Sequence, residues 1–381
     1  MSVADHAPSV APTGAFPRVD RREWSARVER ELEGRPLSSL ERPSPTGLRK
    51  RPLYVAEDLP ADAPLGRRAS RGWLRVVGSD DDNDDAPEPT WPARALAAGA
   101  QAVEVDAATL ERWTPRGVGD HGILVESHAQ VELAGPARRV GGFGPLGSRV
   151  RGAELPAPLD ELLAATPRLV ADSSDERPLR VDLGIHRRAG ETAVGELGAA
   201  LASLAELART GLAPEVLAER TALAFDVGPD LFDEVAKLRA ARELWARLFG
   251  ALGLDAVAPP WIHATAARDG WDADDPLRNA LRATSQTFAA AVAGADSIRV
   301  PPPGTARADA RLARNVQNVL AEEAELARVA DPGGGSWLVE QRTDALARAA
   351  WERFRAIERD GGLAATLRRG RASGPVGEGI A

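Results

Sequence analysis

From residue 73 onward, short β-rich runs alternate with helical stretches, and this alternation constrains the fold more than any other feature of the chain. The runs are WLRVV (73–77), QAVEVD (101–106), GILVES (122–127), ARRVGGF (137–143), LRVDLG (179–184), ALAFDV (222–227), WIHATA (261–266) and DSIRV (296–300). Between them lie TWPARALAAGA, PAPLDELLAAT, ETAVGELGAALASLAELARTG, LFDEVAKLRAARELWARLFGALG and DPLRNALRATSQTFAAAVAGA. Each is apolar at spacings of three and four, the period of a helix that buries one face. Strands that alternate with helices pair in parallel through crossovers, so the pattern predicts an α/β fold, a (β/α)8 TIM-type barrel. The second and third connections are too short for full helices, and the first half of the barrel is expected to be trimmed.

At 381 residues the chain exceeds the about 200–250 residues of such a barrel, which leaves room for extensions. Residues 1–15, rich in Pro, Ala and Ser, are expected to be a disordered tail. Residues 16–72 read as an N-terminal helix, with Trp24, Val28 and Leu32 at spacing four and a stop at Gly34, and then an extended, proline-rich arm. The barrel is assigned to 73–305, two C-terminal helices that complete its domain to 306–370, and a tail to 371–381. An exposed arm packs on its own domain or on a neighbouring chain. Its apolar anchors Trp24, Leu37, Leu40 and Tyr54 are therefore candidates for partner binding, with intrachain packing as the alternative.

Composition removes several classes of function. A net charge of -8 gives no general attraction to nucleic acid or anionic membrane. No apolar run reaches the ~18 residues of a membrane span, and the start has no basic-then-apolar leader pattern. The absence of cysteine excludes disulfides and thiolate metal sites and fits a reducing compartment, so the cytoplasm is expected. The five histidines (His6, His121, His128, His186 and His263) form no metal-ligand spacing. The acidic run DDDNDDAPEP reads as a solvated loop, because the calcium-loop pattern does not continue to its bidentate Glu. No nucleophile–base pair appears, and both lysines lie in an arm or a helix, which sets a barrel hydrolase or aldolase aside.

Strand alternation makes a sharper statement. If Leu74, Val76, Val103, Val105, Val181, Leu183, Phe225, Val227, Ile298 and Val300 face the surrounding helices, the alternate positions face inward. Those are Arg75, Glu104, Asp106, Asp182, Asp226, His263 and Arg299, a mixture of both signs in a confined space. Buried charges persist when paired, so an ion-pair network filling the barrel axis is expected.

The stretch DPGGGS raises the question of a phosphate cradle. Such a cradle follows a strand and ends in Gly-Lys-Ser/Thr; here a helix precedes and no Lys follows, so Gly333 to Gly335 read as a turn between helices. The segment around it, RLARNVQNVLAEEAELARVADPGGGSWLVEQRTDALARAAWERFRAIERDGG, resembles the end of the barrel domain of the adenosylcobalamin-dependent methylmalonyl-CoA mutase family. That family carries an Arg-Asn-x-Gln helix, an Asp-Pro-x-Gly-Gly-Ser turn and a helix leading to Gly-Gly. FPRVDRREWSARVERELEGRPLSSL with PLYVAEDL, AGETAVGELGAALASLAELARTGL and EVAKLRAARELWARL agree, so the resemblance runs from 16 to 370.

The resemblance implies a radical isomerisation of an acyl-CoA, yet the sequence departs from a working mutase. No histidine sits in the Asp-x-His-x-x-Gly loop through which catalytic members ligate cobalt. The Tyr/Arg-rich acyl-CoA clamp expected after the AED arm is altered, since Tyr54 is the chain's one tyrosine and lies upstream. His186 in GIHRRAG is one residue closer to Ala189-Gly190 than the family's catalytic histidine; it is the candidate catalytic residue, beside the simpler reading of a loop histidine. His263 in WIHATAARDGW is similar to a strand-seven histidine of the family and is the candidate for cofactor contact, beside the simpler reading of a barrel-lining side chain. Active members thread the pantetheine arm of CoA along the barrel axis, which a plugged barrel would refuse.

Two functions are thus expected from the resemblance. The first is a non-catalytic small subunit, without a C-terminal cobalamin-binding domain, that supports a large catalytic subunit in a heterodimer; adenosylcobalamin would sit on that partner and none on this chain alone. The alternative is the substrate-barrel half of a split mutase, completed by a separate corrinoid-binding chain, with acyl-CoA as ligand if the axis is open.

Overall fold

The computed structural model describes residues 19–60, 72–78, 91–97, 99–105, 122–125, 138–144, 146, 157–173, 175–304 and 307–369. The barrel strands are β1 (Leu74–Gly78), β2 (Ala102–Val105), β3 (Gly122–Val125), β4 (Arg138–Phe143), β5 (Arg177–Asp182), β6 (Thr221–Val227), β7 (Trp261–Ala266) and β8 (Ser297–Arg299). They pair in parallel in sequence order, and β8 returns to β1, closing a TIM-type barrel. The register slips once, between β4 and β5 at Val140/Phe143. Beside that slip Gly144 lies against the sheet, where a Cβ would stand 2.5 Å from the Arg180 carbonyl, so only glycine fits without moving backbone.

The helices are α1 (Arg21–Glu31), α2 (Trp91–Ala97), α3 (Leu159–Asp172), α4 (Gly184–Arg188), α5 (Ala193–Arg209), α6 (Pro214–Glu219), α7 (Leu231–Ala251), α8 (Pro276–Val292), α9 (Arg307–Asn318), α10 (Trp337–Arg359) and α11 (Gly362–Arg368). Their starts follow local chemistry. The Thr192 hydroxyl accepts from the Gly195 N–H to cap α5, and Asp275 caps α8 through the Arg278 N–H ahead of Pro276 at the first turn. Leu183, Leu197, Leu201, Leu204, Leu223 and Trp245 are buried where β5 and β6 meet α5 and α7.

Helix α10 packs across both α5 and α7. The outward faces of these two helices, which an ordinary barrel would leave in water, are therefore buried, and their charged residues must find partners inside the protein. On the side of α7 that meets the sheet, Lys237 is also fully buried and paired, placing Nζ 3.1 Å from Glu196, 2.8 Å from Glu234 and 3.0 Å from the Asp226 carbonyl oxygen of β6. Arg239 pairs with Asp331 and with Glu340 at 2.5 Å.

The second of these contacts explains the glycine run. Arg239 and Glu340 hold the turn between Arg328 and α10, the Gly335 N–H donates to Glu340 at 3.1 Å, and Asp331 (φ +51°) and Gly335 (φ +79°) adopt left-handed backbone. Both neighbours of the turn are helical, and the Gly334, Gly335 and Ser336 amides donate within the chain.

The arm is partly docked. A two-stranded hairpin, Arg42–Pro43 with Arg49–Lys50, brings Thr46 into a buried position. Arg342 of α10 donates to the Arg49 carbonyl oxygen at 2.9 Å, to the Ser44 hydroxyl at 3.1 Å and to the Thr46 hydroxyl at 3.0 Å, and pairs with Asp233 at 2.6 Å. Lys50 adds ion pairs to Asp230 and, at 3.1 Å, Asp233. Helix α1 buries none of its side chains fully.

One expectation is corrected. Leu74 and Val76 do not face the helices, and Arg75 does not face the axis. Val76 is in register with Ala102 of β2, and with Leu74, Leu124, Ala222 and Trp261 it forms an apolar layer inside the barrel. Arg75 lies on the opposite face, 3.2 Å from Glu322 just beyond α9. The outer face of β1 carries polar groups because α9 and the segment after it answer them: the Trp73 indole N–H donates to Gln317 of α9 at 3.3 Å, and Gln317 in turn reaches the Val76 carbonyl oxygen.

Candidate functional site

Above the apolar layer, toward the carboxyl ends of the strands, the barrel interior is ionic. This is the end at which barrels carry their sites. Glu104 of β2 is the hub. Its Oε1 accepts from Arg180 of β5 at 2.8 Å, and its Oε2 lies 3.2 Å from Arg299 of β8 and 3.5 Å from the Nε2 of His263 on β7. Burial alone would raise the Glu104 carboxyl, but the electrostatic pull of His263 and Arg180 and their hydrogen bonds outweigh it and hold the group at about 2. Burial lowers the Arg299 guanidinium to about 10. Gly78 of β1 gives this guanidinium its space, since any side chain there would occupy the same volume.

One step higher, Asp182 ends β5 and Asp226 lies near the end of β6. Arg188, from the short helix α4, closes over both, pairing with Asp226 and standing 3.5 Å from Asp182. Burial raises the Asp226 carboxyl, against the opposing pull of Arg188. Between the two tiers lies a cavity of about 220 Å³ lined by Glu104, Arg180, Asp182, Arg188, Asp226 and Arg299, with Ala224, Phe225 and Thr265 completing its wall.

The structure thus brings Glu104, Asp182, Asp226, His263 and Arg299 to one place and puts Arg75 outside it; Asp106 lies outside the described residues. Arg180 and Arg188 were not singled out from the sequence. Arg180 was legible, because it shares a strand face with Asp182. Arg188 was not, because it enters from a helix.

His263 is buried, and both ring nitrogens are engaged inside the barrel: Nδ1 is 2.8 Å from the Ser297 hydroxyl and Nε2 is 3.2 Å from the Thr265 hydroxyl. His186 sits on α4, also buried; burial lowers its imidazole to about 4 against the opposing pull of Asp182, which makes it neutral at pH 7. A corrinoid is a wide macrocycle that needs an accessible nitrogen to ligate cobalt. Neither buried ring fits that role. Among the described residues there is also no group of three or more His, Asp or Glu placed to hold a metal ion, and no helix is long and apolar enough to cross a membrane.

The arm candidates fall into two sets. Tyr54 is used within the chain: its hydroxyl accepts from the Arg51 N–H at 3.1 Å, and the Arg51 guanidinium lies 4.8 Å from the ring centre. Trp24, Leu37 and Leu40 are half-buried. Beyond the arm, Leu277 and Leu281, one turn apart on α8, are both about three-quarters exposed, an apolar pair that periodicity alone does not distinguish from a core stripe.

Residues 177–379 match the family described as methylmalonyl-CoA mutase. The chain is 37% identical to the methylmalonyl-CoA mutase small subunit of Streptomyces virginiae over 297 residues, which cover 75% of this chain and 45% of that protein. It is 37% identical to the methylmalonyl-CoA mutase small subunit of Propionibacterium freudenreichii over 217 residues, 51% of this chain and 32% of that protein. A methylmalonyl-CoA mutase of Cereibacter sphaeroides is 28% identical over an alignment that covers 91% of this chain and 59% of that protein. The chain therefore spans less than half the length of the small subunits it matches.

Proposed function

Because the chain belongs to the methylmalonyl-CoA mutase family, we propose that it acts as a small-subunit-type barrel: a non-catalytic partner that supports a large subunit in acyl-CoA carbon-skeleton isomerisation. The large subunit would carry adenosylcobalamin, which supplies radical chemistry when bound, and would hold the substrate. The small-subunit names of its relatives support this reading, and the cysteine-free composition fits a cytoplasmic setting.

One observation carries it. The Glu104–Arg180 and Glu104–Arg299 ion pairs span the interior directly above a packed layer of Leu74, Val76, Ala102, Leu124, Ala222 and Trp261. A pantetheine arm passing down the axis would have to separate buried, hydrogen-bonded charges and then displace the apolar layer. Separating a buried ion pair costs about 3–5 kcal/mol, and repacking a filled core adds to it. The split-enzyme reading requires the opposite, an open axis.

The partner contact would fall on α1 and the following residues to Leu40, where Trp24, Leu37 and Leu40 keep apolar surface available, rather than on the hairpin that Arg342 holds against the barrel. Co-expression with a large mutase subunit, followed by size-exclusion chromatography, tests the assignment. A stable heterodimer that weakens on deletion of residues 19–41 supports it; full turnover with a small corrinoid-binding chain alone overturns it.

A further inference from the structure

The ionic cavity has more order than a plug requires. Its lower tier sets the guanidinium groups of Arg180 and Arg299 around Glu104. Its upper tier sets the carboxylates of Asp182 and Asp226 around the single guanidinium of Arg188. Arg180 and Asp182 are two residues apart on one strand, which separates the tiers by about 6–7 Å. The space between them, about 220 Å³, is large enough for a small organic molecule, and Glu104, Arg180 and Arg299 form its floor.

The chemistry of the walls selects the occupant. A ligand of one sign would satisfy one tier and strip water from the other, which is unfavourable for buried charge. A neutral ligand would strip water from both. A zwitterion meets both tiers, and the spacing matches an amino group and a carboxylate held apart by three or four carbons. A guanidinium has five N–H donors, so Arg180 and Arg299 can serve Glu104 and a ligand carboxylate together. Arg188 already shows what the upper tier accepts: it is a cationic group of the chain itself lying between two carboxylates, and its side chain is about half exposed to solvent.

We infer that the axial cavity is a binding site for a small ω-amino acid, with its carboxylate on Arg180 and Arg299 and its ammonium between Asp182 and Asp226 in place of the Arg188 guanidinium. This goes beyond the supporting role proposed above and does not depend on it, since the site lies wholly within this chain.

Isothermal titration of the full chain with γ-aminobutyrate, and with butyrate and butylamine as single-charge controls, tests the inference without any partner subunit. Saturable binding of γ-aminobutyrate is expected, about tenfold or more tighter than either control. Arg188→Ala, checked for folding by circular dichroism, removes the internal competitor and is expected to tighten binding by about fivefold. Asp226→Asn, checked for folding by circular dichroism, is expected to weaken it by about tenfold or more. No saturable heat with either the wild type or Arg188→Ala at millimolar ligand would overturn the inference, as would equal binding of butyrate.

Discussion

Glu104 and Arg180 meet across the inside of the barrel, Oε1 to Nη1 at 2.8 Å, although β3 and β4 separate their strands in the sheet. The contact is therefore a crossbar of the fold as well as an obstruction of its axis. With Arg299 on β8 it ties three well-separated strands to one carboxylate. The following expectations rest on that arrangement and on the buried charges around it.

Replacing Glu104 by Gln keeps the shape and removes the charge that Arg180 and Arg299 share. Removing one partner of a buried pair costs about 3–5 kcal/mol. The urea midpoint should fall accordingly with an unchanged slope. The wild-type carboxyl, held at about 2 against an ordinary 4.5, contributes stability that is full above pH 4.5 and lost as pH falls toward 2. The gap between wild type and variant should close over that acidic window, and a variant as stable as the wild type at pH 7 contradicts the crossbar.

Arg75→Leu should behave in the opposite way. Its partner Glu322 is largely exposed, and a pair of that kind is worth about 0–1 kcal/mol. A small change in the thermal midpoint is expected. A loss comparable to that of Glu104→Gln would place Arg75 back among the interior charges.

Glu196 gives a pH dependence of the other sign. Burial and the neighbouring Glu234 raise its carboxyl to about 7, with Lys237 opposing them. A folded value above the ordinary 4.5 means that its favourable contribution is complete below pH 4.5 and disappears as pH rises through 7. Glu196→Gln should therefore be more stable than the wild type at pH 8 and converge with it near pH 4, as read by denaturant melts. A difference independent of pH contradicts this account of the α5–α7 interface.

Arg342→Met should release the arm while leaving the barrel intact. The substitution removes the donors to the Arg49 carbonyl, Ser44 and Thr46 and the pair with Asp233, while keeping an apolar side chain of similar length. Amide hydrogen exchange should accelerate across residues 42–50 and remain slow in β6 and β7. Unchanged protection of the hairpin would mean that other contacts hold it.

The barrel was legible because its strands are short and its helices periodic, so each run announced itself locally. WIHATA matches β7 residue for residue, and the other described strands differ from their runs by a few residues at the ends. The phase of β1 was not legible: WLRVV is apolar on both faces, and only the polar groups of α9 and the segment after it decide that Arg75 points out. Parity did mark Glu104, Asp182, Asp226 and Arg299 as inward, because each alternates with apolar residues facing the helices. It could not supply Arg188, which arrives from a helix, or the buried Arg239–Glu340 pair, whose second partner sits on α10 about a hundred residues later in the chain.

The central claim is that the axis refuses a thioester. Isothermal titration of the purified chain with methylmalonyl-CoA addresses it most directly, with free coenzyme A as the control for surface binding of the nucleotide. The account predicts no saturable heat at millimolar ligand, for the wild type as for Arg188→Ala. Tight, saturable binding of methylmalonyl-CoA that Glu104→Gln alters would contradict it.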